Sequence, residues 1–195
     1  MAPSAEFPAT PRRHNSGFRL EPRSVRFTSR MAAPSDATLY RLAARVGRHA
    51  LAHGVTIATA ESCTGGWIGK ALTDVPGSSG WFAEGFITYG NPAKRRLGVP
   101  ARVLTAQGAV SEPVVRAMVR AALTRSGADR AVAVSGIAGP TGAVPGKPVG
   151  TVWICWGRRG RGRPRLVAQP RRFAGDRDAV RRQSVAAALR GLLDR

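Results

Sequence analysis

Two stretches of this chain share one plan: a short run of small and β-branched apolar residues that breaks into a polar, glycine-rich segment. Val55-Thr56-Ile57-Ala58-Thr59-Ala60 runs into Glu61-Ser62-Cys63-Thr64-Gly65-Gly66, and Ala131-Val132-Ala133-Val134 runs into Ser135-Gly136-Ile137-Ala138-Gly139-Pro140. An apolar run with no polar face reads as a strand covered on both sides, the usual state of strands in a parallel sheet. Such sheets need helices on their faces, and the chain supplies helical patterns between its strands.

The first helix is expected from Ser35-Asp36, with Leu39, Leu42, Ala43, Val46 and Ala50 on one face and Gly54 as its stop. Trp67 to Leu72 has helical composition, Trp81 to Tyr89 reads as a strand, and Asn91-Pro92 opens a short helix. Ser111-Glu112-Pro113 has the form of a helix start that Gly127 closes. Val149 to Trp156 and Leu166 to Phe173 read as strands joined by an Arg/Gly-rich run, and a last helix begins near Asp176. This order predicts an α/β fold, a three-layer α/β/α sandwich with a mixed, mostly parallel sheet whose late hairpin brings in an antiparallel strand. Residues 1–31 mix Pro, Ser and Arg without periodicity and read as a disordered or non-native extension, or as sequence upstream of a start at Met31, leaving 32–195 as the folded domain.

A net charge of +20 raises nucleic-acid binding as a function, but its distribution is local. Residues 1–31 and 158–172 carry a net +4 and +7 of that +20, and no single helix holds a basic stripe. Nonspecific nucleic-acid contact through these Arg-rich segments is therefore one expectation, and a binding protein on an inactive enzyme scaffold is one alternative function. No apolar run is long enough to span a membrane. Two distant cysteines, Cys63 and Cys155, make neither a disulfide framework nor a CxxC site, so a cytoplasmic location is the default. No HxxE, HxH or carboxylate cluster is present, so no metal and no cofactor are expected.

The two glycine-rich segments read either as tight strand-to-helix turns or as ligand sites at the carboxyl ends of strands. In the second reading Ser62, Thr64, Gly65 and Gly66 present backbone N–H groups to an anion or oxyanion, and Ser135, Gly136, Ala138 and Gly139 repeat the logic. Ser62, Cys63 and Ser135 are the candidate nucleophiles. His49 and His53 lie on the first helix, far in sequence from either segment, which disfavours a Ser-His-Asp triad. The other activator of a serine is a lysine of lowered pKa. The chain has three lysines, Lys70, Lys94 and Lys147, and Lys94 follows Tyr89 by five residues at a strand-to-helix junction. Spacing alone reads this pair as a strand-end aromatic and a solvated lysine as readily as a relay and a base.

The strings TAESCTGG, GSSGWFAEGFITYGNPAK, GAVSEPVV, VSGIAGPTG, KPVGTVW and FAGDRDAVRRQ occur in that order from about residue 36 to the end. Together they resemble the successive motifs of the CinA carboxy-terminal family, whose stand-alone members act as nicotinamide-nucleotide amidases. The resemblance implies an α/β/α sandwich that hydrolyses nicotinamide mononucleotide (NMN) to nicotinate mononucleotide and ammonia, with NMN as small-molecule substrate and a homo-oligomer as the expected assembly. It places the nucleophile on Ser62, the catalytic tyrosine on Tyr89, the lysine on Lys94, a substrate-contacting hydroxyl on Ser135 and a partner for the nucleotide phosphate on Arg177. The larger amino-terminal domain of some members has no counterpart here, and neither the extension nor the run from Arg158 to Arg163 matches a family motif. Another small carboxamide as substrate is the remaining alternative.

Overall fold

The computed structural model describes residues 33–194, so the expected extension lies outside the described residues. Helix α1 (Asp36–His53) opens on Ser35, whose Oγ accepts the N–H of Thr38 at 3.3 Å, and closes on Gly54 in the left-handed conformation. It is followed by β1 (Ile57–Glu61), α2 (Trp67–Thr73), a 3₁₀ turn at Ser78–Gly80, β2 (Phe82–Ile87) and α3 (Asn91–Leu97). Then come α4 (Ala101–Gln107), α5 (Glu112–Ser126), β3 (Arg130–Gly136), β4 (Thr151–Arg158), β5 (Arg165–Arg172) and α6 (Arg177–Leu193).

The sheet order is β2-β1-β3-β4-β5. The β1–β2 and β1–β3 pairs are parallel, and β3–β4 and β4–β5 are antiparallel, so β4 alone runs against the other four strands. The expected mixed sheet and its late hairpin are present. β1 is buried along its whole length because it lies inside the sheet and between two helical layers. On one side Ile57, Val132, Val134, Val152, Ile154 and Trp156 pack with α1, α2 and α6; on the other, Ala58, Ala60, Ala131, Ala133 and Cys155 pack with α5. Each large aliphatic side chain so buried contributes about 1.5–3 kcal/mol. The second core uses alanines on the strands, which lets α5 lie close to the sheet.

The element α4 was not among the sequence expectations, because its seven residues bury only Leu104 and begin without a side-chain cap. The strand expected from Trp81 starts one residue later, at Phe82. Trp81 instead turns into the core against α1, where a Cβ on Gly47 would lie 2.8 Å from its ring. Of the four tryptophans, Trp81 and Trp156 are buried, and Trp67 and Trp153 are half-buried. No helix among the described residues is long and apolar enough to cross a membrane.

Candidate active site

The carboxyl ends of β1, β2 and β3 bring the first glycine-rich segment, the Tyr89 junction and the second glycine-rich segment to one end of the sheet. Glu61 is the last residue of β1, and its carboxylate is almost fully buried. It accepts the N–H groups of Gly66 and Ile68 at 3.0 Å and of Gly69 at 2.8 Å, closing the start of α2. The turn between β1 and α2 is thereby held tight, and Ser62 stands at its beginning.

Lys94, on α3, reaches back under the end of β2 and is 1 % exposed. Its Nζ lies 2.8 Å from Ser62 Oγ, 2.8 Å from the Thr88 carbonyl oxygen and 3.1 Å from that of Tyr89. Among the described residues no carboxylate pairs with it, so burial lowers its pKa to about 8. In the neutral amine two N–H groups can serve the two carbonyls while the lone pair faces the serine. In the ammonium, Nζ donates to Ser62 Oγ, and the serine proton can turn to the Tyr89 carbonyl at 3.4 Å.

The hydroxyl of Tyr89 points away from this pair. The side chain is largely exposed, and its oxygen accepts from an N–H of Arg177 at 2.8 Å. Arg177 begins α6 and also donates to the Gly139 carbonyl at 2.8 Å. One guanidinium thus ties together the segments that follow β2 and β3. Lys94 touches Ser62 directly, so no tyrosine hydroxyl lies between them.

Several expected contacts are differently arranged. The amides of Gly65 and Gly66 do not face an open anion site: the first donates to Ser62 O at 3.0 Å and the second to Glu61. The physical reason is that the Glu61 carboxylate already occupies the start of α2. Ser135 is buried, and its hydroxyl donates to the Ala109 carbonyl at 2.8 Å, so its proton pins the segment before α5 and does not face a ligand. Thr64 is buried with no partner for its hydroxyl among the described residues. Ala138 is buried, and Gly136 and Gly139 are places of close approach, where a Cβ would lie 2.6 Å from Val152 and from Val149 respectively. Cys63 is buried beside the serine, and desolvation pushes its thiol up to about 12, which leaves it protonated and a poor nucleophile.

Sequence reasoning gave no role to Glu61, Thr88 or Arg181. Arg181 lies one turn after Arg177 and donates to the carbonyls of Cys63 and Thr64 at 3.2 and 2.9 Å. Its guanidinium also lies 4.9 Å from the Trp67 ring centre, with that of Arg182 at 4.8 Å. The signal for Arg181 was its i,i+4 relation to Arg177. That for Glu61 was a charged residue at the end of an otherwise apolar run.

This arrangement can be set beside known proteins. The chain is 56% identical over 153 residues to a nicotinamide-nucleotide amidohydrolase, PncC, of Pseudomonas putida, covering 78% of this chain and 93% of that protein. It is 51% identical over 160 residues to the protein of the same name from Escherichia coli K12, covering 81% and 94%. The crystal structure of a competence/damage inducible protein, CihA, from Agrobacterium tumefaciens superposes with a TM-score of 0.75 at 41% identity, covering 84% of this chain and 98% of that one. Residues 39–195 match the CinA C-terminal domain model, and the chain belongs to that family.

Proposed function

We propose that this protein is a nicotinamide-nucleotide amidohydrolase that uses Ser62 as nucleophile and Lys94 as base. The observation that carries the reading is the contact of Lys94 Nζ with Ser62 Oγ at 2.8 Å, in a pocket that lowers the lysine pKa to about 8. The names of the two PncC relatives supply the substrate.

In the first half-reaction the neutral amine of Lys94 takes the Ser62 proton as Oγ bonds to the carboxamide carbon. The amide of Cys63, next to the nucleophile, donates to no backbone carbonyl among the described residues, and it is the donor we assign to the oxyanion. Collapse of the tetrahedral intermediate breaks the C–N bond, and the Lys94 ammonium gives its proton to the leaving nitrogen, which departs as ammonia. In the second half-reaction water attacks the acyl-serine and loses a proton to Lys94; the C–Oγ bond then breaks, Lys94 returns the proton to Ser62 Oγ and the nicotinate nucleotide leaves. The Thr88 and Tyr89 carbonyls hold Lys94 Nζ beside the serine through both half-reactions. We assign Arg177 to the nucleotide phosphate, because a planar fork suits bidentate contact with oxyanions, and it orients Tyr89 at the same time. Thr64, Ala138 and Gly139 are buried and shape the site from behind. A cytoplasmic, homo-oligomeric enzyme is part of the same proposal.

Ammonia release by the purified chain with NMN, nicotinamide and glutamine tests it. Turnover of NMN well above that of the other two is expected; turnover of glutamine alone would replace the substrate, and no release from any would remove the amidase reading.

A further inference from the structure

The opposite end of the sheet carries an unusual row of charge. Register places Arg130, the first residue of β3, opposite Arg158, the last of β4, and Arg158 opposite Arg165, the first of β5. Directly opposed residues of antiparallel neighbours share a face with Cβ atoms about 4.5–5.5 Å apart, and like charges there repel. The face is that of α6, since Val132 and Trp156, of the same parity, belong to the core beneath that helix.

No carboxylate among the described residues forms an ion pair with this row. None of the ion pairs includes any of the three arginines, and Arg158 and Arg165 have no side-chain partner among the described residues. The neighbouring acid, Asp129, holds the N–H and hydroxyl of Thr56 at 2.8 and 2.9 Å. Arg130 is 7 % exposed; one terminal nitrogen lies 2.9 Å from His49 Nε2 and donates to the Leu192 carbonyl at 3.2 Å, while its Nε has no partner among the described residues. Burial, reinforced by the charge of Arg158 and only partly offset by Asp129, holds the Arg130 pKa below its ordinary value. The row borders a cavity of about 190 Å³ whose apolar wall includes Trp156, Val167 and Leu192.

We propose that this cavity binds a small phosphate-bearing anion, bridged by Arg158 and Arg165 with Arg130 behind them. The site is separate from the candidate active site, because Arg130 and Ser135 are five residues of extended strand apart, about 17 Å. Guanidinium forks match phosphate oxygens, and three cations with no ion-pair partner among the described residues favour a dianion. The volume lies below the roughly 300 Å³ at which pockets for larger ligands begin, so it suits a phosphate group with a short apolar portion. A nucleic-acid strand would meet exposed side chains, and Arg130 is too deeply buried for that.

The test is titration of the full chain carrying Arg177→Ala, which removes the phosphate partner assigned in the active site, with inorganic phosphate against chloride at matched ionic strength. Phosphate should raise Tm saturably and shift the Trp156 indole and the Gly157 and Val167 amides in NMR spectra. Adding Arg158→Gln and Arg165→Gln should weaken phosphate binding at least tenfold and, without phosphate at low salt, raise Tm by removing repulsion. Equal effects of phosphate and chloride, or unchanged affinity in the glutamine variant, would overturn the site. Tight binding of a DNA duplex that the glutamine variant loses, with no saturable effect of phosphate, would overturn it in favour of nucleic acid. Arg165→Gln alone, at an exposed position, repeats the affinity test should the combined variant fold poorly.

Discussion

The Nζ of Lys94 lies 2.8 Å from the Oγ of Ser62, although 32 residues separate them in the chain. The contact exists because β1 and β2 are parallel neighbours, so the segments leaving their carboxyl ends emerge side by side. Its function depends on an uncharged amine. With a lysine pKa of about 8, only about a tenth of the protein holds the neutral form at pH 7. The rate, kcat/KM for NMN, should therefore rise with pH and level off above about 8, falling on the acid side as the ammonium forms. A profile flat between about pH 6 and pH 9 would show that Lys94 is not the base. Lys94→Arg should lose at least ~100-fold in kcat, because guanidinium keeps its proton.

Ser62→Ala should abolish ammonia release from NMN with the fold retained, since it deletes one small hydroxyl. Cys63→Ala should stay within a few-fold of wild type, because the buried thiol with a pKa of about 12 supplies no thiolate. The reverse pattern in the same assay would move the nucleophile to Cys63.

Arg177 holds both the Gly139 carbonyl and the Tyr89 hydroxyl at 2.8 Å. Arg177→Ala should raise KM for NMN by an amount matching a lost charged hydrogen bond, about 1.5–3 kcal/mol. Nicotinamide riboside, which lacks the phosphate, should show little change. An equal penalty on both substrates, reproduced by Tyr89→Phe, would mean that Arg177 acts by orienting Tyr89.

At Gly191, on α6, a Cβ would lie 2.2 Å from the Trp156 ring of β4. Gly191→Ala should destabilise by about 1–3 kcal/mol through overpacking, outweighing the ~1 kcal/mol that alanine gains in helix propensity. A drop of several degrees in Tm is the expected reading, and an unchanged or higher Tm would show that α6 can shift at no cost.

The Arg-rich hairpin is not uniform. Arg159 donates to the carbonyls of Ala128 and Leu123 at the end of α5, whereas Arg161 and Arg163 are exposed on the connection between β4 and β5. Replacing Arg161 and Arg163 with Ser should leave kcat/KM for NMN within about threefold at ~0.1 M salt, where the Debye length is ~10 Å. Nonspecific DNA binding should weaken and lose salt slope. A large loss of NMN turnover would place this hairpin at an active site.

Local chemistry wrote much of the fold into the chain. Ser35 and Gly54 bound α1, Pro113 and Gly127 bracket α5, and Asp176 caps α6 by accepting the Ala179 N–H at 2.8 Å. These are signals within a few residues of one another, and so are the apolar runs of β1 and β3. The helix α4 escaped because burying Leu104 alone leaves no periodic face.

Ordered motifs also single out Ser62, Tyr89, Lys94 and Arg177 as candidate site residues. What each side chain touches was decided by the tertiary structure. Sequence spacing linked Tyr89 to Lys94, but the fold gives Lys94 the Tyr89 carbonyl and gives the Tyr89 hydroxyl to Arg177. It likewise fills the start of α2 with Glu61 and commits Ser135 to Ala109. Caps, turns and buried strands depend on residues near in sequence, so the sequence by itself determines them. Hydrogen-bond partners, burial and the lysine pKa depend on which strand ends lie together and on what shields them from water, and those follow only once the sheet is assembled.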